Sequence, residues 1–212
     1  MKSLIVGMGI GQLYLTVLKN IGAEVITVDS NPEVKANFAD VDRAIEEHKF
    51  FDTVHICTPN YTHWKLAYKL APTCKIVFVE KPGVANPENW MTLLHTFPKT
   101  RFMMVKNNQW REEFLDYKKL AQDSDTVLFK WINFNRVPKP GSWFTDKKLA
   151  YGGVSRDLLP HLLSYFTGFF PDFYKAQITA KRAEQRWTLS DLSNSDYGEV
   201  NVNGVYDVDD RV

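Results

Sequence analysis

The chain has 212 residues, 44% hydrophobic and 24% charged, a balance that allows one large globular domain or two small ones with a real core. A formal net charge of +1 excludes a general attraction to nucleic acid or to a membrane surface, and no apolar run reaches membrane-spanning length. The two cysteines, Cys57 and Cys74, have neither metal nor redox spacing, so they read as buried thiols of a reducing cytoplasm, and no metal site is expected.

Ser3-Leu4-Ile5-Val6 is a short apolar run that stops at Gly7, the pattern of a strand buried on both faces. It leaves too little chain ahead of it for a signal peptide. Gly7-Met8-Gly9-Ile10-Gly11 follows at once. Leu13, Tyr14, Val17, Leu18 and Ile21 then recur at helical spacing, and Gly22 stands where a C-cap glycine belongs. A second strand at 24–28 is closed by Asp29-Ser30. Asp29 follows Gly7 by about 20 residues, the register of a dinucleotide-binding βαβ unit. Gly7 permits the tight turn, Gly9 lets the backbone approach a pyrophosphate, and the helix N-terminus offers N–H groups to the anion. The Asp29 carboxylate can accept hydrogen bonds from both ribose hydroxyls and would repel a 2′-phosphate. That predicts NAD, with NADP as the alternative if Lys35, the nearest cation, softens the repulsion. The pattern G-x-G-x-x-G puts its third glycine where this chain has Gln12. Either the turn is one residue shorter, with Gly11 just before Gln12, or Gln12 tolerates the close helix–strand contact.

Asn31-Pro32 predicts a helix start, with Pro32 at the first position. Residues 40–49 are helical in composition, and any third strand near Phe38 is very short. Thr53-Val54-His55-Ile56-Cys57 is a strand that runs into Thr58-Pro59-Asn60. Pro59 breaks it and leaves polar groups at its carboxyl end, where open α/β sheets bind ligands. An amphipathic helix at 61–70, a strand at 75–79, a helix at 87–97 and a strand at 101–105 complete the alternation. They predict a parallel, right-handed, doubly wound sheet over residues 1–108. Lys81 sits at a strand's carboxyl end between Glu80 and Pro82. It is a candidate for chemistry, and the plain alternative is a surface lysine paired with Glu80.

From Gln109 the pattern changes. A helix is expected at 110–122 with Phe114, Leu115 and Leu120 on its apolar side, then a long alternating strand at 126–137. Trp143, Phe144, Tyr151 and Gly152-Gly153 make an aromatic, glycine-bearing loop. A helix at 157–166 carries Leu158, Leu159, Leu162 and Leu163 on one side. Strands are expected at 173–182 and 186–192, and Asn203-Gly204 signals a hairpin that places Val202 opposite Val205. Few helices and long strands indicate an α+β domain with a mainly antiparallel sheet over residues 109–212. Asp157 and His161 stand at i and i+4 on one helix face, where the carboxylate can orient the imidazole as an acid/base pair. Alternatively Asp157 only caps the helix, since Pro160 is best tolerated in a first turn, and His161 is only packed.

Gly7-Met8-Gly9, Cys57-Thr58-Pro59-Asn60-Tyr61-Thr62-His63, Glu80-Lys81-Pro82 and the run from Gly152-Gly153 to Asp157-Leu158-Leu159-Pro160-His161 occur in that order. From about residue 3 to 168 the chain thereby resembles the Gfo/Idh/MocA family of nicotinamide-dependent sugar and polyol dehydrogenases. The resemblance implies a Rossmann domain followed by a smaller α+β domain whose open sheet serves oligomerisation. It makes Lys81, Asp157 and His161 correspond to the family's catalytic lysine, aspartate and histidine. Gly7, Gly9, Ile10, Gly11, Asp29, Ser30, Thr58, Pro59, Asn60, His63, Glu80 and Lys81 form the expected cofactor-binding set. There are departures. Leu159 replaces a common glycine, Asn108 roughly matches a family asparagine, and the arginine expected near it is replaced or shifted to Arg111. The chain also ends earlier than typical members, so a trimmed second sheet is expected.

The expected reaction is hydride transfer between a secondary alcohol, on a sugar, nucleotide sugar or polyol, and NAD. His161 would take the proton, Lys81 would hydrogen-bond the alkoxide, and Asp157 would orient the pair. Trp143 and Tyr151 could stack on a sugar face or simply pack. The alternatives are a reductase of a non-sugar substrate such as a tetrapyrrole, a dinucleotide-binding regulatory protein without turnover, or an assembly module. Phe129, Trp131, Phe134, Trp187 and Tyr206 predict a homodimer or homotetramer through the second domain's sheet.

Overall fold

Four short runs carrying β-branched residues form the strands β1 (Lys2–Val6), β2 (Glu24–Val28), β3 (Phe51–Ile56) and β4 (Cys74–Val79), and Arg-Phe-Met-Met forms β5 (Arg101–Met104). They lie in the order β2-β1-β3-β4-β5, and every pairing is parallel. Phe38 makes a one-residue parallel bridge to Val28 on the free side of β2. Counting Phe38 as the remnant of a third strand, the order is that of a Rossmann sheet, with its switch point between β1 and β3. These facts come from a computed structural model that describes residues 1–129, 143, 146–151, 154–172, 185–187 and 206–208. The chain divides into two compact units, Met1–Val105 and Lys106–Val212.

Local signals set the helices α1 (Gly11–Asn20), α2 (Val41–His48), α3 (His63–Leu70) and α4 (Pro87–Thr96). Asp40 caps α2 by accepting from the Arg43 N–H, and Asn86 caps α4 from the Asn89 N–H, with Pro87 at the first position. Helix α1 ends in a Schellman motif. Gly22 has φ +76°, its N–H bonds the Lys19 carbonyl, and the Ala23 N–H reaches back to Leu18. The predicted apolar set of α1 splits in two: Tyr14 and Leu18 face the sheet, joined by Gly11 and Leu15, whereas Leu13, Val17 and Ile21 are exposed. The helix expected from Asn31-Pro32 does not form. Asp29 Oδ1 accepts from the Asn31 N–H, Asn31 Oδ1 from Glu33, and the Val34 N–H closes on the Asn31 carbonyl, so side-chain acceptors and a turn take the bonds a helix would need.

The sheet has unequal faces. On the face covered by α2, α3 and α4, Leu4, Val6, Ile26, Val54, Ile56, Leu70, Val77 and Leu93 belong to one buried cluster. On the α1 face the cluster is Ile5, Met8, Leu18 and Cys57, with Tyr14 packed against it. Beside it lies a buried polar group, Ser3, Thr53 and His55, joined by hydrogen bonds, with the Phe78 ring stacked on His55.

In the second unit a 3-10 turn (Asn107–Trp110) precedes α5 (Phe114–Gln122), followed by α6 (Lys147–Ala150) and α7 (Val154–Phe169). The helix expected from residue 110 therefore starts later. Phe114 and Ala121 are its buried residues, while Leu115 and Leu120 are exposed. Phe114 and Phe169 pack together, with Tyr165, Phe129 and Phe170 around them. Helix α7 begins at Val154, which puts Asp157 inside its first turns and Pro160 in its interior, so Asp157 is not its N-cap. β6 (Gln185–Trp187) and β7 (Tyr206–Val208) pair antiparallel, Trp187 opposite Tyr206. Residues 126–129 form no strand, and the rest of the predicted 126–137 strand, the 173–182 strand and the Asn203-Gly204 turn lie outside the described residues.

Candidate functional site

The carboxyl ends of β1, β3 and β4 bring three turns to one edge of the sheet. The first is the glycine turn. Gly7 has φ +89°, and a Cβ there would stand 2.8 Å from the Cys57 carbonyl carbon. A Cβ on Gly11 would stand 2.8 Å from Ile5 Cγ2. Gly11, the first residue of α1, thus makes the close helix–strand contact of a third glycine. The turn is one residue shorter than G-x-G-x-x-G, and Gln12 is exposed. A Cβ on Gly9 would meet nothing within 4 Å, so Gly9 keeps bare backbone on the open side of the turn. No side chain caps α1 and no acid sits in its first turn. This cradle fits a pyrophosphate.

Asp29 ends β2 beside it. Its Oδ2 accepts from the Met8 N–H at 2.7 Å and its Oδ1 from the Asn31 N–H at 2.8 Å. Each oxygen keeps a second lone pair, the capacity a ribose diol would use. Ser30 and Ile10 are exposed.

The second turn follows β3. The Thr62 hydroxyl donates to the Pro59 carbonyl at 2.7 Å, so Thr58 is the donor in the 2.5 Å contact between the two threonine hydroxyls. Asn60 is buried. His63, expected among the cofactor contacts, has no exposed surface. Its Nδ1 lies 2.9 Å from the Gly83 carbonyl and its Nε2 2.8 Å from that of Thr58. A neutral imidazole donates to one of these carbonyls and an imidazolium to both. Burial holds its pKa below the ordinary value, with the Lys81 charge adding to that and the two carbonyls opposing it.

The third turn, at 80–83, carries Lys81. The Gly83 N–H bonds the Glu80 carbonyl at 2.9 Å, and the Lys81-Pro82 bond is cis. Glu80 accepts from the Tyr14 phenol of α1 through Oε1, and from the Lys81 N–H at 3.2 Å through Oε2. Burial first, then the charge and hydrogen bond of Glu80, raise the Tyr14 pKa far above its ordinary range. Burial likewise raises that of Cys57, with help from Glu80. Both groups are neutral. Lys81 is half-buried.

In the second unit, Asp157 and His161 stand one turn apart on α7, both half-buried. Asn108 is buried and its amide donates to the His161 carbonyl at 3.3 Å. Ser164 Oγ donates to the same carbonyl at 2.7 Å, and Gln109 donates to the Ser164 carbonyl at 2.6 Å. These amides tie the 3-10 turn to the middle of α7. Sequence reasoning did not find Gln109, nor the Tyr14–Glu80 bond. Tyr14 read as one more apolar position, although a tyrosine on a buried stripe needs a partner for its hydroxyl.

The cradle, the switch point and an acid ending the second strand define a dinucleotide-binding Rossmann unit. Residues 1–107 match the Gfo/Idh/MocA family, the oxidoreductase family with an NAD-binding Rossmann fold, and the chain belongs to that family. It is similar to a protein of Amycolatopsis mediterranei provisionally named UDP-kanosamine synthase oxidoreductase subunit. The two are 30% identical over 117 residues, 53% of this chain and 32% of that protein. An oxidoreductase of Formosa agariphila is 24% identical over 147 residues, 64% of this chain and 46% of that protein. The chain thus spans less than half the length of these relatives. Among solved structures, GenD2 from gentamicin A biosynthesis in complex with NAD has a TM-score of 0.66 at 21% identity, covering 94% of this chain and 59% of its own. The WlbA (WbpB) dehydrogenase of Thermus thermophilus in complex with NAD and UDP-GlcNAcA has a TM-score of 0.60 at 16% identity, covering 80% and 62%. At these identities both likenesses speak for the fold. No helix among the described residues is long and apolar enough to cross a membrane.

Proposed function

We propose that this chain is an NAD-dependent dehydrogenase acting on a secondary alcohol, or the matching ketone, of a sugar derivative, with a nucleotide sugar as the first class to test. One observation carries the reading. Tyr14 of the glycine-turn helix bonds Glu80, the residue before Lys81, so the pyrophosphate cradle and the lysine turn occupy one edge of one sheet. The UDP-sugar in the name of the Amycolatopsis mediterranei relative supports the substrate class.

The N–H groups at Gly9–Gly11 and the Asp29 carboxylate would hold the dinucleotide, and residues of the turns at 58–60 and 80–81 would complete its site. Bound NAD supplies the two-electron oxidant for the alcohol carbon. Lys81 donates a hydrogen bond to the alcohol oxygen as negative charge develops on it. His161 accepts the hydroxyl proton, and Asp157, one turn earlier on the same helix face, orients the imidazole. Groups of these kinds each contribute roughly 10²–10⁴-fold. A panel of UDP-sugars and free sugars, assayed by NADH absorbance, tests the reading. Turnover of at least one sugar derivative is expected, and NAD binding with no turnover across the panel would instead favour a regulatory dinucleotide-binding role.

Phe129 packs within the second unit, and the further aromatic residues Trp131, Phe134, Trp187 and Tyr206 support assembly into a homodimer or a dimer of dimers through that unit. Light scattering coupled to size exclusion should report at least twice the chain mass of 24.5 kDa. A concentration-independent monomer contradicts it.

A further inference from the structure

Two side chains outside the chemistry grip the turn at 80–83. On the α1 face the Tyr14 phenol donates to Glu80 Oε1, and Glu80 Oε2 accepts from the Lys81 N–H at 3.2 Å. On the opposite face the His63 ring, fully buried, lies 2.9 Å from the Gly83 carbonyl and 2.8 Å from the Thr58 carbonyl. The first residue of the turn is therefore tied to the helix that starts at the glycine turn. With the proton on Nδ1, His63 ties the last residue, through the Gly83 carbonyl, to the start of α3. Between these ties the main chain is closed by the bond from the Gly83 N–H to the Glu80 carbonyl and anchored to β3 by the bond from the Glu80 N–H to the Ile56 carbonyl, at 3.0 Å. Lys81 stands at the centre of this frame.

A flexible lysine needs such a frame. Its stem has several rotatable bonds, and only a fixed Cα and a fixed exit direction confine the ammonium to a small volume. A misplacement of about 1 Å at a reacting centre costs about 10²-fold in rate. Each tie is suited to holding geometry. The tyrosine stays protonated beside the carboxylate because its site is buried and already negative, so its hydroxyl remains a donor. The histidine is fully buried, and its ring nitrogens face main-chain carbonyls rather than mobile side chains.

We propose that Tyr14 and His63 are positioning residues of the reaction, holding the turn at 80–83 from opposite faces of the sheet and thereby fixing where Lys81 presents its ammonium. This rests on the reading of Lys81 as the group that meets the substrate oxygen.

The test uses the full chain and two readouts. Tyr14→Phe removes one oxygen and leaves the ring on His55, whose centroid lies 5.4 Å away. Hydrogen exchange of the cofactor-free protein should show the Lys81 and Gly83 amides exchanging about tenfold faster or more, with β1, β3 and β4 unchanged. With substrate, kcat should fall by about tenfold while the NAD dissociation constant stays within about twofold. His63→Gln keeps N–H donors and His63→Phe keeps none, so Gln should retain more turn protection and more kcat than Phe. If His63→Phe does not fold, Tyr14→Phe and His63→Gln decide the matter. Wild-type exchange at 81 and 83 in Tyr14→Phe overturns the proposal. So does wild-type kcat in Tyr14→Phe when Lys81→Ala is inactive, an outcome that leaves the role of Lys81 standing. Wild-type turnover in Lys81→Ala fails that role itself, and the positioning claim falls with it.

Discussion

The face of the sheet under α2, α3 and α4 is filled by aliphatic side chains in continuous contact, from Leu4 through Val54 to Leu93. The α1 face uses the same strands one residue out of phase, and there Ser3, Thr53, His55 and Cys57 alternate with the residues of the first set. Its apolar cluster is small, and it carries the Tyr14–Glu80 bond that reaches the lysine turn. Because side chains alternate along a strand, one run of residues supplies a core on one side and a polar layer on the other. The apolar face holds the unit together. The polar face links the glycine turn to Lys81 and brings with it a sensitivity to acid.

Truncations give the largest contrast. Leu70→Ala, in the fully buried cluster, should cost about 4 kcal/mol of unfolding free energy, while Leu18→Ala, on a helix whose neighbours are exposed and can relax, should cost about 2 kcal/mol. Denaturant titration measures both, and equal or reversed costs would remove the distinction between the faces. The next effect is the response to acid. Burial lowers the His55 pKa to about 4; Nε2 lies 3.1 Å from Thr53 Oγ1, and Nδ1 has no partner among the described residues. The unfolded chain, with its histidine near 6.5, binds the proton first as pH falls. The stability from keeping His55 neutral is therefore complete above about pH 6.5 and is lost progressively down to about pH 4, a change on the order of 3 kcal/mol. His63 adds a contribution of the same sign. Melting curves at pH 7 and near pH 4.5 should show a steeper fall for the wild type than for His55→Phe, and parallel falls would acquit the polar face. The smallest effect concerns the cofactor. The wild type should bind NAD more tightly than NADP, and Asp29→Ala should narrow the gap by about tenfold, about 1.4 kcal/mol, by removing the repulsion of a 2′-phosphate. Calorimetric titrations with both dinucleotides measure this, and a gap unchanged in the variant would take the preference away from Asp29.

Much of the first unit is legible because it repeats one rule. Apolar runs ended by glycine, proline or an acid are parallel strands, and their ends make the ligand edge, so Gly9, Asp29 and Lys81 could be picked out by position. What local rules miss is competition. Asn31-Pro32 looks like a helix start, yet the carboxylate of Asp29 and the amide of Asn31 close turns first. Phe38, by contrast, was correctly limited to a very short third strand. The third glycine could not be placed from the sequence, because only the distance to Ile5 shows that Gly11 makes the close contact. In the second unit the leucine spacing predicts a helix from Asp157, and Pro160 would make Asp157 a cap, whereas the helix begins at Val154 and carries the proline inside. Polar residues there mislead as well: Asn108 and Gln109 face α7 while Leu115 and Leu120 face solvent, so amides holding main-chain carbonyls take places that periodicity assigns to leucines.

The central claim is that Lys81 acts on the substrate at the edge where NAD is held. Its most direct test is turnover by wild type and Lys81→Ala on a sugar derivative that the wild type oxidises, with calorimetric NAD binding measured on the same preparations. The account predicts NAD affinities equal within about twofold and a kcat lowered by about 10²-fold or more in the variant. Wild-type turnover in Lys81→Ala, with NAD bound normally, would contradict it.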